Sequence, residues 1–381
     1  MLKTRHPAKW RRWVTWLSLL AVVVMVSGCR TFSFYAQAIK GQYYILAHRQ
    51  EVRKLLADPR TPQRLKHRLE VMENLRSFAA EKLRLPVDGH YLKYVDVHRP
   101  FVVWNVEAAP EFSMQPATWW YPLVGSLEYR GYFSWPGATN YAAYFRRKGY
   151  DVAVAGVQAY STLGWFKDPV LNTFLFDPDG ELAETLFHEL AHQQVFAHSD
   201  TDFNEAFATT VGQEGARRWL QSRGDATGLQ DYLDHLRRND DFVHLVMKTR
   251  LRLETLFGDE RTEDGKVKAG RGKRKDPGDG LHQQKQRIYA EFQKQLAALK
   301  VSWGGSTEFD DWLARPINNA HLNSVAAYYD LVPGFERLLA ANGGDLKKFY
   351  GAADRLSHKS KKERRELLKA DLTSRHKNDP A

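Results

Sequence analysis

Two histidines stand four residues apart in an apolar segment near the middle of the 381-residue chain. The segment reads Phe-His-Glu-Leu-Ala-His from Phe187 to His192, and a helix is expected over 180–197. Apolar residues occupy nearly every side of that helix, so it must be buried. Buried imidazoles and a buried carboxylate need polar partners. The chain must therefore fold so that a second element carries such partners to this helix.

The same spacing predicts a metal centre. Residues four apart lie on one face of a helix, so His188 and His192 can bind one cation together. Glu189 lies about 100° away around the axis. There it can accept a proton from a water on the cation without being a ligand, which is why H-E-x-x-H is typical of zinc hydrolases. The chain has one cysteine, which excludes a disulfide framework and a thiolate zinc cluster.

A catalytic zinc site usually takes a third protein ligand, and three residues compete for this position. His198 has the spacing of the metzincin pattern, but Val195 stands where that pattern has glycine. Glu205 follows a short polar turn and opens a helix expected over 202–222, which can pack antiparallel to the first. The sequence favours Glu205 and leaves His198 and Glu214 as alternatives. Small residues on the same helix face would permit close approach: Ala208, Thr209, Gly212 and Ala216.

Periodicity predicts an α+β fold that is mainly helical. Residues 91–133 carry β-branched and aromatic runs punctuated by prolines, which indicates short strands and turns. A strand is also expected over 151–157. The expected helices are 34–56, 62–83, 136–147, 180–197, 202–222, 227–257 and 281–300, with shorter pieces beyond 308.

The N-terminus has the pattern of a bacterial lipoprotein signal. Five basic residues within positions 3–12 precede an apolar run from Trp16 to Val26, which is short for a membrane span. Val-Ser-Gly-Cys, ending at Cys29, resembles the lipobox, in which cleavage precedes a lipid-modified cysteine. Arg30 follows in place of aspartate, which by resemblance to Gram-negative sorting rules indicates the outer membrane, facing the periplasm. An uncleaved anchor or an ordinary signal peptide is the alternative.

The net charge of +11 does not indicate a nucleic-acid partner. The positive charge is concentrated in the signal, in residues 266–275 and in residues 347–377. The last two segments are interpreted as solvated surface, with contact to anionic lipid headgroups as the alternative. We therefore expect no nucleic acid, and membrane contact through a lipid anchor on Cys29.

Several blocks of the sequence resemble the bacterial predicted-aminopeptidase lipoproteins, a family assigned to the gluzincin-like zinc peptidases. The H-E-x-x-H segment followed by Asn204-Glu205-Ala206 is similar to that family. Further similar blocks are Trp104-Asn105-Val106, Tyr129-Arg130-Gly131-Tyr132-Phe133, 159–166, Asp168-Pro169-Val170-Leu171 and Asn318-Asn319-Ala320. Residues 259–287 and the tail after about Tyr350 stand outside the resemblance.

This resemblance implies a zincin-like metallopeptidase core, with a small sheet packed beside the H-E-x-x-H helix and a helical C-terminal part. It also implies that His188, His192 and Glu205 bind zinc and that Glu189 is the catalytic base. The implied activity is zinc-dependent peptide hydrolysis, as an aminopeptidase. An envelope endopeptidase and a non-catalytic zinc-binding scaffold are the alternatives.

The substrate contacts are predicted less directly. In similar peptidases an edge strand holds the substrate backbone, and 151–157, running into Tyr160 and Ser161, is our candidate. A donor to the oxyanion is also required. An aminopeptidase needs a carboxylate for the free amine, and Glu107 and Glu111 are available, although nothing in the sequence places either at the cleft. The oxyanion candidates are Tyr160, His321 and Tyr328.

The sequence predicts six segments in the chain. They are a signal peptide over 1–28, an N-terminal helical hairpin over 29–90, the catalytic core over 91–258, a basic flexible insertion over 259–287, a C-terminal helical part over 288–350 and a basic tail over 351–381.

Overall fold

The structure is a computed structural model. It describes residues 31–122, 125–160, 162, 166–262, 267–268 and 278–369, without the side chains of residues 261, 278, 279, 327 and 328. The predicted signal peptide, Cys29 and Ser161 lie outside the described residues. The chain divides into two compact units, Met1–His48 and Arg49–Ala381. Among the described residues, no helix is long and apolar enough to cross a membrane.

The first unit contains helix α1, residues 31–47. The second unit is mainly helical with small sheets, as predicted. Its helices are α2 (Val52–Ala57), α3 (Gln63–Glu81), α4 (Trp135–Arg146), α5 (Asn172–Leu175), α6 (Asp179–Ala191), α7 (Thr201–Ser222), α8 (Ala226–Phe257), α9 (Gly278–Ser302), α10 (Asp310–Leu313), α11 (Asn319–Tyr329), α12 (Val332–Ala341), α13 (Leu346–Ser357) and α14 (Lys361–Lys369). Its strands are β1 (Gln50–Glu51), β2 (Lys93–Val95), β3 (Val103–Pro110), β4 (Trp119–Tyr121), β5 (Gly125–Leu127), β6 (Arg130–Tyr132), β7 (Tyr150–Val157), β8 (Val170–Leu171), β9 (Glu260–Arg261) and β10 (Val267–Lys268).

The largest sheet has the order β6-β3-β7 and is antiparallel. Strand β3 pairs with β7 along its whole length, from Val103 opposite Val157 to Pro110 opposite Tyr150. A second sheet has the order β1-β2-β8, in which β2 and β8 are parallel. The remaining strands form the pairs β4–β5 and β9–β10.

The β6-β3-β7 sheet makes its main helix contacts with α4 and α11. Helix α4 begins at Ser134, whose hydroxyl accepts a hydrogen bond from the Gly137 amide, with Pro136 in the first turn. The zincin-like core implied by the resemblance, with a small sheet beside the H-E-x-x-H helix, stays a prediction. That helix, α6, packs mainly against α7.

Helices α6 and α7 pack closely because small residues line the surface between them. A β-carbon at Gly212 would lie 2.8 Å from the carbonyl oxygen of Glu184, so any side chain there would force the helices apart. His188 contacts Glu205 while Glu184 contacts Gly212, so the chains run in opposite directions. The predicted antiparallel pair and its small-residue face are therefore confirmed.

Two helix predictions are wrong in their limits. The helix expected over 34–56 ends at residue 47, because Gln50 and Glu51 pair with Tyr94 and Lys93 and this strand pairing overrides the helical periodicity. The helix expected over 180–197 ends at Ala191. The amides of Gln193 and Gln194 bond the carbonyls of Leu190 and Ala191, which tightens the last turn and stops the helix.

The prediction of a flexible insertion over 259–287 is wrong for residues 278–287, because these residues belong to α9. Lys285 is buried there, and its ammonium group lies 2.8 Å from the carboxylate of Asp151 in β7. Residues 263–266 and 269–277 lie outside the described part of the chain.

The prediction of a basic tail over 351–381 is wrong for residues 351–369. These residues complete α13 and form α14. The basic side chains of α14 pair with carboxylates at the start of α7 and just after α11. The predicted solvated surface is therefore a set of ion pairs. These are Arg364–Asp200 at 2.9 Å, Lys361–Asp200 at 3.1 Å, Arg365–Asp330 at 2.9 Å, Lys369–Asp330 at 2.8 Å and Arg365–Asp202.

Replacing Arg364 by Ala is expected to lower the free energy of unfolding by about 3 kcal/mol, because the Asp200 carboxylate would stay buried without this partner. Urea denaturation of the two proteins measures the difference. Lys362→Ala is the matched control, since Lys362 lies on the exposed side of the same helix. An equal loss in both variants would contradict a specific role for the buried pair.

Candidate metal centre

Three ligand-type side chains converge where α6 ends and α7 begins. His188 lies in the last turn of α6, and His192 is the first residue after it. Glu205 lies one turn into α7. The Nε2 atoms of the two histidines are 3.1 Å apart, and Oε2 of Glu205 lies 3.2 Å from His188 Nε2 and 3.6 Å from His192 Nε2. The side chains are 10–16% exposed, so the group faces an opening.

These three distances fit a single small cation. Zinc binds imidazole nitrogens and carboxylate oxygens at about 2.0–2.2 Å, so two ligands at the corners of a tetrahedron stand about 3.3–3.6 Å apart. The observed separations of 3.1–3.6 Å fall close to that range. Within the described part of the chain, this is the one group of three or more His, Cys, Asp or Glu residues that could hold a metal ion.

Two of the three side chains, Glu205 and His188, are held in the protonation state that binds metals. Burial would raise the pKa of Glu205, but the charges and hydrogen bonds of His192 and His188 lower it well below its usual value. Burial lowers the pKa of His188, which keeps that imidazole neutral. Burial opposes protonation of His192 too, but the Glu205 carboxylate raises its pKa. An ionised carboxylate and a neutral imidazole are the forms that bind metals.

Glu189 stands beside this cluster and is not one of its members. Its side chain is buried, and Oε2 has no hydrogen-bond partner among the described residues. Burial raises its pKa to about 8, with the charges of Glu205 and Asp168 adding to the effect and His192 opposing it. A carboxylate held in this way is suited to take up a proton.

The alternative third ligands lie elsewhere. His198 is exposed, and its Nδ1 contacts the hydroxyl of Ser199 at 2.9 Å. Both oxygens of Glu214 accept hydrogen bonds from Arg217, and Oε1 also accepts one from Arg218. The geometry thus brings Glu205, and neither alternative, to the two histidines.

The loop between the helices is fixed by one side chain of α7. The amide group of Asn204 accepts a hydrogen bond from the backbone N–H of Ala197 and donates one to its carbonyl, at 2.7 and 2.9 Å. Asn204 is buried and immediately precedes Glu205. This pair of bonds holds the loop against the helix that carries the third candidate ligand.

The three predicted oxyanion donors have different positions. Tyr160 lies near the cluster: burial raises its pKa, and the negative charges of Asp168 and Glu189 add to that effect. His321 is buried and stacks on Trp312 with ring centroids 3.9 Å apart, and burial lowers its pKa to about 4. His321 therefore packs among helices and is not one of the three residues of the cluster. The side chain of Tyr328 lies outside what the structure describes.

The predicted substrate strand, β7, is an edge strand as expected, but part of its edge is covered. Side chains following α10 bond its backbone: Arg315 donates to the carbonyl of Val154, and Asn318 donates to that of Val152. The Gln158 carbonyl, beyond the strand, accepts a hydrogen bond from Thr173. Main-chain pairing with a substrate is therefore blocked at Val152 and Val154.

The sequence missed two tyrosines near the cluster. Burial raises the pKa of Tyr129 far above its usual value, and the charges of Glu205 and Glu189 raise it further. Tyr91 is buried, with its pKa raised by burial and then by Glu189 and Asp168. Its backbone is left-handed, with φ 58°, and its amide bonds the Asp168 carbonyl at 2.7 Å. Tyr129 stands in one of the blocks that carried the resemblance, which was a usable signal, whereas nothing marked Tyr91.

Comparison with known proteins yields one match. The model of the family described as "Putative aminopeptidase" matches residues 33–368. That range contains the candidate metal centre and all of α14 except its last residue. No curated protein and no solved structure matches the chain. Because the match covers most of the sequence, the chain belongs to the family described as "Putative aminopeptidase".

Proposed function

We propose that this protein is a zinc-dependent aminopeptidase, held at the membrane by a lipid on Cys29. The observation that supports the metal most directly is the convergence of His188, His192 and Glu205 within ligand distance of one another. The family assignment supports a peptidase. The signal-like N-terminus supports delivery to the outer membrane, facing the periplasm.

In this proposal His188, His192 and Glu205 would hold the zinc ion and leave its fourth coordination position for water or substrate. The zinc ion would polarise the scissile carbonyl and lower the pKa of a bound water molecule toward about 7. Glu189 accepts the proton of the attacking water on its carboxylate. It then passes that proton to the nitrogen of the leaving amine. Its unpartnered Oε2 leaves an acceptor available for this role.

Two tyrosines are suited to stabilise the charge that develops on the carbonyl oxygen. Tyr129 and Tyr160 both have pKa values raised by burial and by neighbouring carboxylates, so both keep their hydroxyl protons. A protonated hydroxyl can donate a hydrogen bond to an oxyanion. The charge of Glu189 contributes to the pKa shift of both tyrosines, which supports a role for them near the general base.

The proposal is tested with the full chain purified in detergent. We expect hydrolysis of leucyl and alanyl 4-nitroanilides, inhibition by 1,10-phenanthroline, and recovery on addition of zinc. The N-acetylated forms of the same substrates are the matched control for an aminopeptidase. Equal cleavage of free and acetylated substrates would indicate an endopeptidase. A zinc-loaded protein that cleaves neither these substrates nor longer peptides would support the scaffold alternative.

A further inference from the structure

A pocket lies about one helical turn along α7 from Glu205 of the candidate metal centre. Its free volume is about 20 Å³, which is room for one group the size of a water molecule or an ammonium group. Two carboxylates line it, Glu107 from β3 and Glu128 from the turn before β6, together with Tyr129, Thr201 and Asn323. The other lining residues are small or apolar, and the two carboxylates are the ionisable acids among the lining residues.

Helix α7 connects this pocket with the metal centre. Thr201 lines the pocket and Glu205 belongs to the cluster, and residues four apart share one face of a helix. One turn of helix rises about 5.4 Å. Tyr129 lines the pocket too, and the charges of Glu205, Glu189 and Glu107 all act on its hydroxyl. A ligand that contacts Thr201 would therefore lie about one helical turn from Glu205.

The pocket carboxylates lack a full set of partners. Oε2 of Glu107 is buried and accepts no hydrogen bond from any described residue. Burial raises the pKa of Glu107 to about 8, and the charge of Glu128 adds to this. Burial also raises the pKa of Glu128, with Asp202 adding to the effect.

Basic residues near Glu128 offset this only in part, because each has another partner. Lys361, Arg250 and Arg365 lower the pKa of Glu128. Lys361 pairs with Asp200, Arg365 pairs with Asp202 and Asp330, and Arg250 donates to Asn323. Two carboxylates line one cavity, and one of them has a buried oxygen that accepts no hydrogen bond from the described residues, so a cation would stabilise this site.

We propose that Glu107 and Glu128 bind the free α-ammonium group of the peptide substrate. This inference rests on the proposed function. An ammonium group has three hydrogen-bond donors and no acceptor, so it fits a cavity lined by two carboxylates. Binding there would place the amino terminus beside the reacting carbonyl. Peptides without a free amine would leave the buried Oε2 of Glu107 without a partner, which is how the pocket selects its substrate.

The other carboxylate suggested by the sequence, Glu111, is a matched control. It lies at the end of the same strand region but outside the pocket. Its carboxylate is 40% exposed and faces His282 at 3.3 Å. Glu111→Gln therefore removes a neighbouring negative charge without changing the cavity.

The first test compares Glu107→Gln, Glu128→Gln and Glu111→Gln with the wild type. We expect kcat/KM for leucyl 4-nitroanilide to fall about 10- to 100-fold in the two pocket variants, because each loses hydrogen bonds to a charged group. We expect zinc content to stay the same in all of them, and Glu111→Gln to match the wild type. Unchanged kinetics in both pocket variants would overturn the assignment, as would loss of zinc from either.

The second test separates this inference from the proposed function. Isoamylamine has the side chain and ammonium group of a leucine residue but no bond to hydrolyse, and isoamyl alcohol is its uncharged counterpart. By calorimetry we expect the amine to bind the full-length zinc protein at least tenfold more tightly than the alcohol, and Glu107→Gln to remove that preference. This result would support the amine site even if no peptide were cleaved. Equal binding of both compounds would overturn it even if peptides were cleaved.

Discussion

Replacing Glu189 by Gln is expected to reduce peptide hydrolysis by about a thousandfold while the protein keeps its zinc. Glutamine has nearly the same shape as glutamate, so the packing around this buried position is retained. It cannot accept and return a proton, so the general-base step is lost. Initial rates with leucyl 4-nitroanilide, together with zinc content, measure the effect.

Glu181→Gln is the control for that substitution, because Glu181 lies two turns earlier on the same helix. It should keep wild-type activity. If Glu189→Gln retained full activity, Glu189 would not be the base. If it lost zinc together with activity, the residue would act as a ligand, which its exclusion from the three-residue cluster contradicts.

The second large effect is expected at Glu205. Removing this carboxylate by Glu205→Ala should raise the zinc dissociation constant by at least a hundredfold, because two histidines alone leave the cation short of a protein ligand and of the negative charge that binds it. Competition with a chromogenic chelator measures the constant directly, whether or not a substrate is known.

Two variants serve as controls for Glu205→Ala. Glu214→Ala removes a carboxylate from the same helix, one that is held by Arg217 and Arg218. His198→Ala removes the other residue with suitable spacing, whose ring is exposed. Both should bind zinc like the wild type. Loss of zinc in His198→Ala with full retention in Glu205→Ala would show that the loop rearranges to supply a different ligand.

Local pattern was sufficient to predict the pairing of α6 and α7. A spacing of four residues is a property of any helix, so His188 and His192 had to share a face. Small residues such as Gly212 then predicted the close approach, which the contact with Glu184 bears out. Glu205 followed because it stands one turn into the second helix.

What the sequence could not predict depends on contacts between distant segments. Glu107 lies 98 positions before Glu205, and no local period links a residue of β3 to a helix of the core. The charged helix α14 is a second case. Its composition alone indicates a solvated tail, and only the carboxylates of Asp200 and Asp330 make it part of the fold. A charged segment is predicted to be exposed to solvent, and this prediction is wrong where distant residues of opposite charge pair with it in the folded chain.

The ends of helices were hard to predict for a related reason. The apolar pattern continues past Ala191 through Val195, so periodicity extends the helix over the loop. After the helix ends, the loop is held by the paired hydrogen bonds between Asn204 and Ala197, which require α7 to be in place. Such tertiary hydrogen bonds leave no signal in the sequence of the helix that they end.

The central claim is that one zinc ion is held by His188, His192 and Glu205. Its most direct test is X-ray absorption at the zinc edge, with metal analysis, on the full chain purified without added metal. We predict one zinc ion per wild-type chain, with two imidazoles and a carboxylate oxygen among its nearest ligands. We predict that the His188→Ala protein contains no zinc. A wild-type protein that binds no zinc, or zinc that persists unchanged in His188→Ala, would contradict the account.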